Sequence, residues 1–160
     1  MDRTVCFTGH RHIPDEDYPV LFDTLFSVIE QQITLGAVTF LAGGALGFDT
    51  MAALAVLPLR KRYPHVRLEL ILPCPSQTRG WSKGDTVLYE QIKGQADAVH
   101  YVSTGYYKGV LQQRNRALVE KADVCVAYLR NSNGGGTAYT ASLALKNGLD
   151  LINLQDLIKK

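Results

Sequence analysis

Short apolar runs rich in β-branched residues alternate along this sequence with longer segments in which apolar residues recur every three or four positions. Runs of the first kind are typical of buried strands, and segments of the second kind are typical of amphipathic helices. Parallel strands need a crossover between them, and helices usually supply it. The pattern therefore predicts an α/β fold, a Rossmann-like three-layer sandwich with a mainly parallel sheet and helices on both faces.

Six runs are predicted as strands. They cover residues 4–9, 38–44, 66–73, 98–102, 123–129 and 149–154. Helices are predicted after the first, second, fourth and fifth runs, and a polar loop with the only tryptophan follows the third. The second helix is expected from Phe48 to Tyr63, with a kink or an early end at Pro58, because proline removes a backbone hydrogen bond and clashes with the preceding turn.

Length and composition indicate one compact domain over residues 1–160, with no linker, internal repeat or low-complexity tract. Apolar residues make up 46% of the chain, but no apolar run approaches the roughly 20 residues that a membrane-spanning helix needs. The first residues enter a strand-like run without the pattern of a signal peptide, so we expect a cytoplasmic protein that does not contact membranes.

The three cysteines are Cys6, Cys74 and Cys125, an odd number without C-x-x-C spacing. The sequence thus indicates neither a disulfide framework nor a metal site. Cys6 and Cys125 lie inside predicted strands as small apolar residues, whereas Cys74 follows a strand and is a candidate thiol nucleophile. The net charge of +2 is a weak argument for nucleic acid, which usually selects a concentrated basic face.

Four loops follow predicted strands at the edge where a parallel sheet binds ligands. They read TGHRH, AGGALGFD, PCPSQTRGW and NSNGGGT. The second loop has Ala42 where a dinucleotide fingerprint needs its first glycine, and it lacks the Gly-Lys-Ser/Thr of a Walker A loop. Its glycines favour either a tight strand-to-helix turn or a close approach of backbone N–H groups to a phosphate at the helix N-terminus.

Side chains in these loops suit the parts of a nucleotide. Asp49 either caps the second helix or accepts a hydrogen bond from a ribose or a base. Trp81 either stacks on a base, whose edge Gln77 would read, or covers apolar surface. His10 and Arg11 either supply hydrogen bonds and charge to the ligand or are structural and solvated.

Together the loops resemble the SLOG superfamily, which includes the Smf/DprA DNA-processing proteins and the LOG nucleotide phosphoribohydrolases, and most of all its small bacterial YpsA-like branch. The resemblance rests on FTGHR, LAGGALGFDTMAA, ILPCPSQTRGW, QQRNRALVEKAD and GGGTAYTASLA, and it covers essentially the whole chain. It implies a Rossmann-like sheet and a pocket for a nucleotide-derived ligand. Related folds often form dimers through helices, so the sequence leaves open whether this chain forms a homo-oligomer.

LOG enzymes use a P-G-G-x-G-T-x-x-E signature whose glutamate takes part in cleaving the N-glycosidic bond. Here Gly136 and Thr137 match that signature, but Thr140 stands at the glutamate position. A hydroxyl cannot do the acid–base work of a carboxylate near neutral pH. No catalytic residue is therefore assigned, and a nucleotide N-glycosidase would need another carboxylate.

The leading prediction is a binding or sensor domain for a nucleoside phosphate, an ADP-ribose-like compound or a nucleotide sugar, with no certain cofactor. Arg11 and the glycine amides would bind the phosphate. Asp49 or Asn115 would bind the ribose. Trp81 and Gln77 would contact the base. The candidate ligand-binding residues are Gly9, His10, Arg11, Gly43, Gly44, Gly47, Asp49, Gln77, Trp81, Arg114, Asn115, Gly134, Gly135, Gly136 and Thr137. The alternatives are the N-glycosidase and a single-stranded DNA-binding protein. Binding of single-stranded DNA requires a groove lined by aromatic and basic side chains.

Overall fold

The computed structural model describes residues 2–130 and 135–158. At its centre six strands form one parallel sheet in the order β4-β3-β2-β1-β5-β6. The strands are β1 (Arg3–Gly9), β2 (Ala37–Ala42), β3 (Arg67–Leu72), β4 (Ala98–Tyr101), β5 (Val124–Tyr128) and β6 (Asp150–Asn153). The predicted α/β, Rossmann-like fold class is confirmed, and every strand pair in the sheet is parallel.

Helices cover both faces of the sheet. They are α1 (Tyr18–Thr34), α2 (Phe48–Arg62), α3 (Lys83–Gln95), α4 (Val110–Glu120), α5 (Gly135–Lys146) and α6 (Leu154–Ile158). The apolar sides of α1, α2, α3 and α6 pack into one core cluster, and those of α4 and α5 pack into a second cluster on the opposite face.

Successive strand residues divide between these two clusters because side chains alternate across a sheet. In β1, Val5 and Phe7 belong to the larger cluster, whereas Cys6 belongs to the smaller one. In β5, Val124 and Val126 face the larger cluster and Cys125 the smaller. Both faces are buried, which explains why these strands read as continuous apolar runs.

The strand order reverses direction at β1. From β1 the chain moves to β2, β3 and β4 on one side, then returns to place β5 and β6 on the other. Such a switch point leaves a crevice at the carboxyl ends of the two central strands, because the connections leave in opposite directions. In this chain the crevice lies beyond Gly9 of β1 and Tyr128 of β5.

The structure differs from the sequence-based expectation in two elements. Helix α3 follows Trp81 directly, where only a polar loop was predicted. Helix α2 runs from Phe48 to Arg62, close to the expected bounds, but it continues through Pro58, so the early end that was one of two expected effects does not occur. Pro58 is exposed, so water can bond to the carbonyl group that loses its partner. Among the described helices, none combines the length and the apolar character that crossing a membrane requires.

Candidate functional site

Two adjoining cavities open at the carboxyl ends of the strands, on either side of Arg11. We call them the polar cavity, of about 330 Å³, and the aromatic cavity, of about 380 Å³. Arg11 and Leu111 line both of them. The two cavities are therefore adjacent, and we refer to them together as the cleft and to each as one of its compartments.

The polar cavity brings together residues from four separate loops and helices. Its lining includes Ala45 and eight of the predicted positions, namely Gly9, His10, Arg11, Asp49, Arg114, Asn115, Gly136 and Thr137. The first turns of α4 and α5 reach this cavity, and the free N–H groups at helix N-termini favour anions. The sheet edge and the N-termini of α4 and α5 thus converge on the polar cavity.

Arg114 is the buried cation of the polar cavity, and it is only 5% exposed. Its Nη1 donates a hydrogen bond to the carbonyl oxygen of Gly43, and its Nε donates to Oδ1 of Asn115 at 2.8 Å. The first bond joins α4 to the loop after β2, and the second lies within α4. Sequence spacing placed Arg114 on α4 but did not indicate that its guanidinium reaches the loop after β2.

Asp49 is the single carboxylate among the described residues that line the polar cavity. Its Oδ2 accepts a hydrogen bond from the backbone N–H of Ala45 at 3.2 Å. Burial raises the pKa of Asp49, while Arg114, the Ala45 N–H and Arg11 act in the opposite direction. Asp49 therefore ties the first turn of α2 to the loop before it, and the helix start has no side-chain cap.

His10 is fixed at both its backbone and its ring. Its carbonyl oxygen accepts the N–H of Phe48 at 3.1 Å, and its Nε2 accepts the N–H of Arg130 at 3.0 Å. The imidazole lies edge-to-face against Tyr128, with ring centres 5.6 Å apart. Because Nε2 is an acceptor, the neutral ring carries its proton on Nδ1.

The aromatic cavity lies beyond the carboxyl end of β3. Its remaining lining residues are Pro73, Cys74, Ser76, Gln77, Arg79, Trp81 and Tyr106. Trp81 packs edge-to-face on Tyr89 at 5.4 Å, so it covers apolar surface and also lines the cavity. The Gln77 Oε1 atom is buried and has no hydrogen-bond partner.

The glycines of the turn after β2 line neither the polar nor the aromatic cavity. A Cβ on Gly43 would crowd Arg114 Nη1 at 2.8 Å and an Asp49 oxygen at 2.9 Å. A Cβ on Gly44 would meet the side chain of Leu72, and one on Gly47 would overlap the carbonyl of Arg11. A side chain would thus be crowded at all three positions, and an approach of their N–H groups to a ligand stays a prediction.

The glycines at the start of α5 differ in whether they line the polar cavity. Gly136 lines the polar cavity, and Gly135 begins the helix without lining it. Gly134 lies outside the described residues. Thr140, the position that would hold the LOG glutamate, is fully buried, and its hydroxyl donates to the carbonyl of Gly136 at 2.9 Å.

Several lining residues were missed in the sequence. Tyr106, Arg79 and Leu111 line the cleft, although only Arg79 lies in a loop that the sequence had singled out, PCPSQTRGW. The sequence did contain one usable sign, since Tyr106 and Arg79 follow strands whose carboxyl ends had to reach the same edge. Within the described ranges, no three His, Cys, Asp or Glu side chains cluster closely enough to hold a metal ion.

Comparisons with known proteins agree with this architecture. Two UPF0398 proteins, from Brevibacillus brevis and Halalkalibacterium halodurans, are each 31% identical to this chain over 105 and 123 residues. The alignments cover 64% and 73% of this chain but 56% and 65% of those proteins. The chain thus matches less than two thirds of the length of either relative.

A solved structure of DNA processing protein A from Helicobacter pylori, reported for its single-stranded DNA binding mode, superimposes with a TM-score of 0.64. The match covers 93% of this chain and 63% of that one, at 21% identity, which shows a shared fold. The YpsA family model, described as the YspA SLOG family, matches residues 6–156. Because that match spans nearly the whole chain, the protein belongs to the YpsA family of SLOG proteins.

Proposed function

We propose that this protein binds a nucleotide-derived small molecule in the two-compartment cleft. The observation that carries the proposal is the shared boundary of the two cavities at Arg11 and Leu111. One compartment offers cations and helix N-termini, and the other offers an aromatic ring and an amide. A nucleotide has the same division, with an anionic phosphate, a polar sugar and a flat base.

The polar cavity suits the phosphate and the ribose. Arg11 is exposed at the junction, so its guanidinium is free to form two parallel hydrogen bonds with phosphate oxygens. Thr137 and the first turn of α5 offer a hydroxyl and backbone N–H groups. Asn115 and the buried Asp49 carboxylate suit ribose hydroxyls, which donate and accept hydrogen bonds.

The aromatic cavity suits the base. Trp81 is held by Tyr89 and presents part of its ring to the cavity, which allows stacking. Gln77 lines the same space, and its amide can donate to or accept from the edge of a base. Ligand sites of this kind combine an apolar wall with a few polar groups that fix orientation.

The test is a thermal-shift screen, followed by calorimetry, of nucleoside monophosphates, ADP-ribose, NAD and nucleotide sugars. Arg11→Met removes the junction cation, and Gln77→Leu removes the polar group of the aromatic cavity. Arg67→Met is the matched control, because Arg67 is an exposed arginine on β3 that lines neither cavity. A ligand at 100 times its dissociation constant stabilises the fold by about 2.7 kcal/mol.

We expect at least one compound to stabilise the wild type and the Arg67→Met control, and to bind Arg11→Met at least about tenfold more weakly, as loss of a charge-assisted contact implies. Stabilisation that is equal in all variants would place the ligand elsewhere. A complete lack of stabilisation across the panel would reject the proposal.

A second candidate function is hydrolysis of an N-glycosidic bond in the same cleft, and Asp49 favours it. Asp49 supplies the carboxylate that Thr140 does not, and its raised pKa is typical of groups that exchange protons in catalysis. The reaction would consume one water and release a free base and a sugar phosphate. Asp49→Asn should then abolish base release, followed by chromatography, while binding of the same nucleotide persists.

Single-stranded nucleic acid is the competing occupant. The sequence suggested no aromatic and basic platform, yet Arg11, Arg79, Trp81 and Tyr106 together line the aromatic cavity. Oligonucleotide binding would lose affinity steeply with salt, because neutralised phosphates release counterions. Tight, salt-sensitive binding of a short oligonucleotide, with no response to mononucleotides, would favour this function over the proposed one.

A further inference from the structure

Two side chains hold the chain that leaves β5, one from strand β6 and one from the loop after β1. The Asn153 amide donates to the carbonyl of Leu129 at 3.0 Å, and its oxygen accepts the Leu129 N–H at 3.1 Å. The next residue, Arg130, donates its N–H to Nε2 of His10 at 3.0 Å. The exit of β5 is therefore attached to β6 through Asn153 and to the loop after β1 through His10.

These two attachments differ in chemistry. The Asn153 amide does not titrate, so its two bonds to Leu129 are independent of pH. The bond from Arg130 requires an unprotonated Nε2, because a protonated imidazole has only donors. Proton binding to His10 would thus break one attachment and leave the other intact.

We propose that His10 is a positioning residue whose neutral imidazole pins Arg130 beside the polar cavity, and that protonation of the ring releases this pin while Asn153 keeps Leu129 in place. The hydrogen bond from Arg130 to His10, which we call the pin, lies at the polar cavity because His10 lines that cavity. Gly136 and Thr137, which also line the cavity, follow Arg130 by six and seven positions in the sequence. The effect of the pin on a ligand rests on the proposed function, whereas the pin itself does not.

The surroundings of His10 favour the neutral ring. Burial lowers the pKa of His10, and the positive charge of Arg130 lowers it further. The other charged or titratable groups nearby are Arg11 in the same loop, Tyr128 on β5, and Asp49 of α2 and Arg114 of α4 across the polar cavity. Asp17 also lies close enough to Tyr128 for its charge to add to the effect of burial, which raises the pKa of that hydroxyl. The pin is therefore intact at neutral pH and is lost as the pH falls through the lowered pKa.

The ring is also oriented in advance. The His10 carbonyl is bonded to the Phe48 N–H, and the ring packs on Tyr128, so the imidazole is held facing Arg130. Replacement by glutamine keeps an acceptor on a side chain of similar reach but removes the titration. Replacement by alanine removes the acceptor.

The deciding experiment follows the backbone amides of Arg130 and Leu129 by NMR between pH 5 and 8 in the wild type, His10→Gln and His10→Ala. In the wild type we expect the Arg130 amide shift to follow the titration of the His10 ring, with Leu129 unchanged. In His10→Gln that titration should vanish. In His10→Ala at pH 7 the Arg130 amide should exchange with solvent about fivefold faster, the loss expected for one ordinary hydrogen bond.

The proposal is overturned if the Arg130 amide is insensitive to titration of the ring, or if its exchange is equal in the wild type and His10→Ala. It is also overturned if Leu129 shifts as much as Arg130, because that result would show general loosening of the β5 exit. All of these outcomes are measured without a ligand, so they do not depend on the proposed function.

Binding of ribose 5-phosphate is the second readout. We expect its dissociation constant to rise about fivefold more in the wild type than in His10→Gln between pH 7.5 and 5.5, since the ionisation of the phosphate affects both proteins equally. Tighter binding to the wild type at acidic pH would mean that protonated His10 contacts the phosphate, which contradicts a positioning role. If no variant binds ribose 5-phosphate, the proposed ligand is contradicted. The amide measurements then test the Arg130–His10 hydrogen bond by themselves.

Discussion

Asp49 shows at the scale of one residue how folding changes a side chain that the sequence marks only as polar. The carboxylate is buried beside Gly43 and accepts one backbone N–H. Burial raises the pKa of Asp49 even though Arg114 opposes the shift. The folded protein therefore holds the Asp49 proton to a higher pH than the unfolded chain does.

The sign of the resulting pH dependence follows from that difference. Above the ordinary aspartate pKa of about 3.9, the unfolded chain loses the proton first, so the contribution of Asp49 to stability falls as pH rises through the folded-state pKa. Asp49→Asn keeps an oxygen acceptor for Ala45 but cannot ionise. Urea unfolding from pH 4 to 8 should show the variant gaining stability relative to the wild type, and a constant difference would contradict the buried ionisation.

Gly47 illustrates a second effect at this scale, the need for a backbone that only glycine adopts. Its φ is 81°, and a Cβ would overlap the carbonyl of Arg11. Gly80 has a φ of 85° with nothing near the Cβ position, which makes it a matched control. We expect Gly47→Ala to lower the free energy of unfolding by at least about 3 kcal/mol and Gly80→Ala by about 1–2 kcal/mol, measured by denaturant titration. Equal losses would show that backbone strain alone matters at both sites.

The sequence predicted the glycine turn but left open whether its glycines approach a ligand or only make a tight strand-to-helix turn. That choice depends on which groups approach the turn from elsewhere, here Arg114, Leu72 and the backbone of Arg11. None of these is a sequence neighbour of the turn. The distinction therefore could not come from the local pattern.

At the scale of elements, the buried strands were predicted most closely. Each is a short apolar run whose two faces are covered, and such runs differ sharply from their surroundings. Helix α3 was missed because its buried residues are few, Tyr89 and Ile92, and its remaining face is polar. The available sign was Ser82 three residues before Asp85, a spacing typical of a helix start.

That start gives an element-scale prediction. The Ser82 hydroxyl accepts the Asp85 N–H at 3.1 Å and caps α3. Ser82→Ala should lower the free energy of unfolding by about 1 kcal/mol. Ser142→Ala, on an exposed position inside α5, should change it by less than about 0.5 kcal/mol. Chemical denaturation of both variants checks the difference, and similar losses would rule out the cap as the cause.

At the scale of the whole molecule, the sheet order is what turns four separate loops into one cleft. The sequence predicted that the loops after β1, β2, β3 and β5 share an edge, because all parallel strands end there. It could not predict which loops touch, since the order β4-β3-β2-β1-β5-β6 is a tertiary property. The contact of the two cavities at Arg11 depends on that order.

The shared boundary leads to a prediction about linked ligands. If the base and the phosphate occupy adjoining compartments, joining them in one molecule makes the second contact intramolecular and raises the affinity. The nucleotide should then bind at least about tenfold more tightly than either the nucleoside or ribose 5-phosphate, measured by calorimetry. Arg11→Met should reduce this advantage because Arg11 lies where the two parts join. Fragments that bind as tightly as the intact nucleotide would mean that only one compartment is used, and the cleft would then have to be treated as two unrelated cavities.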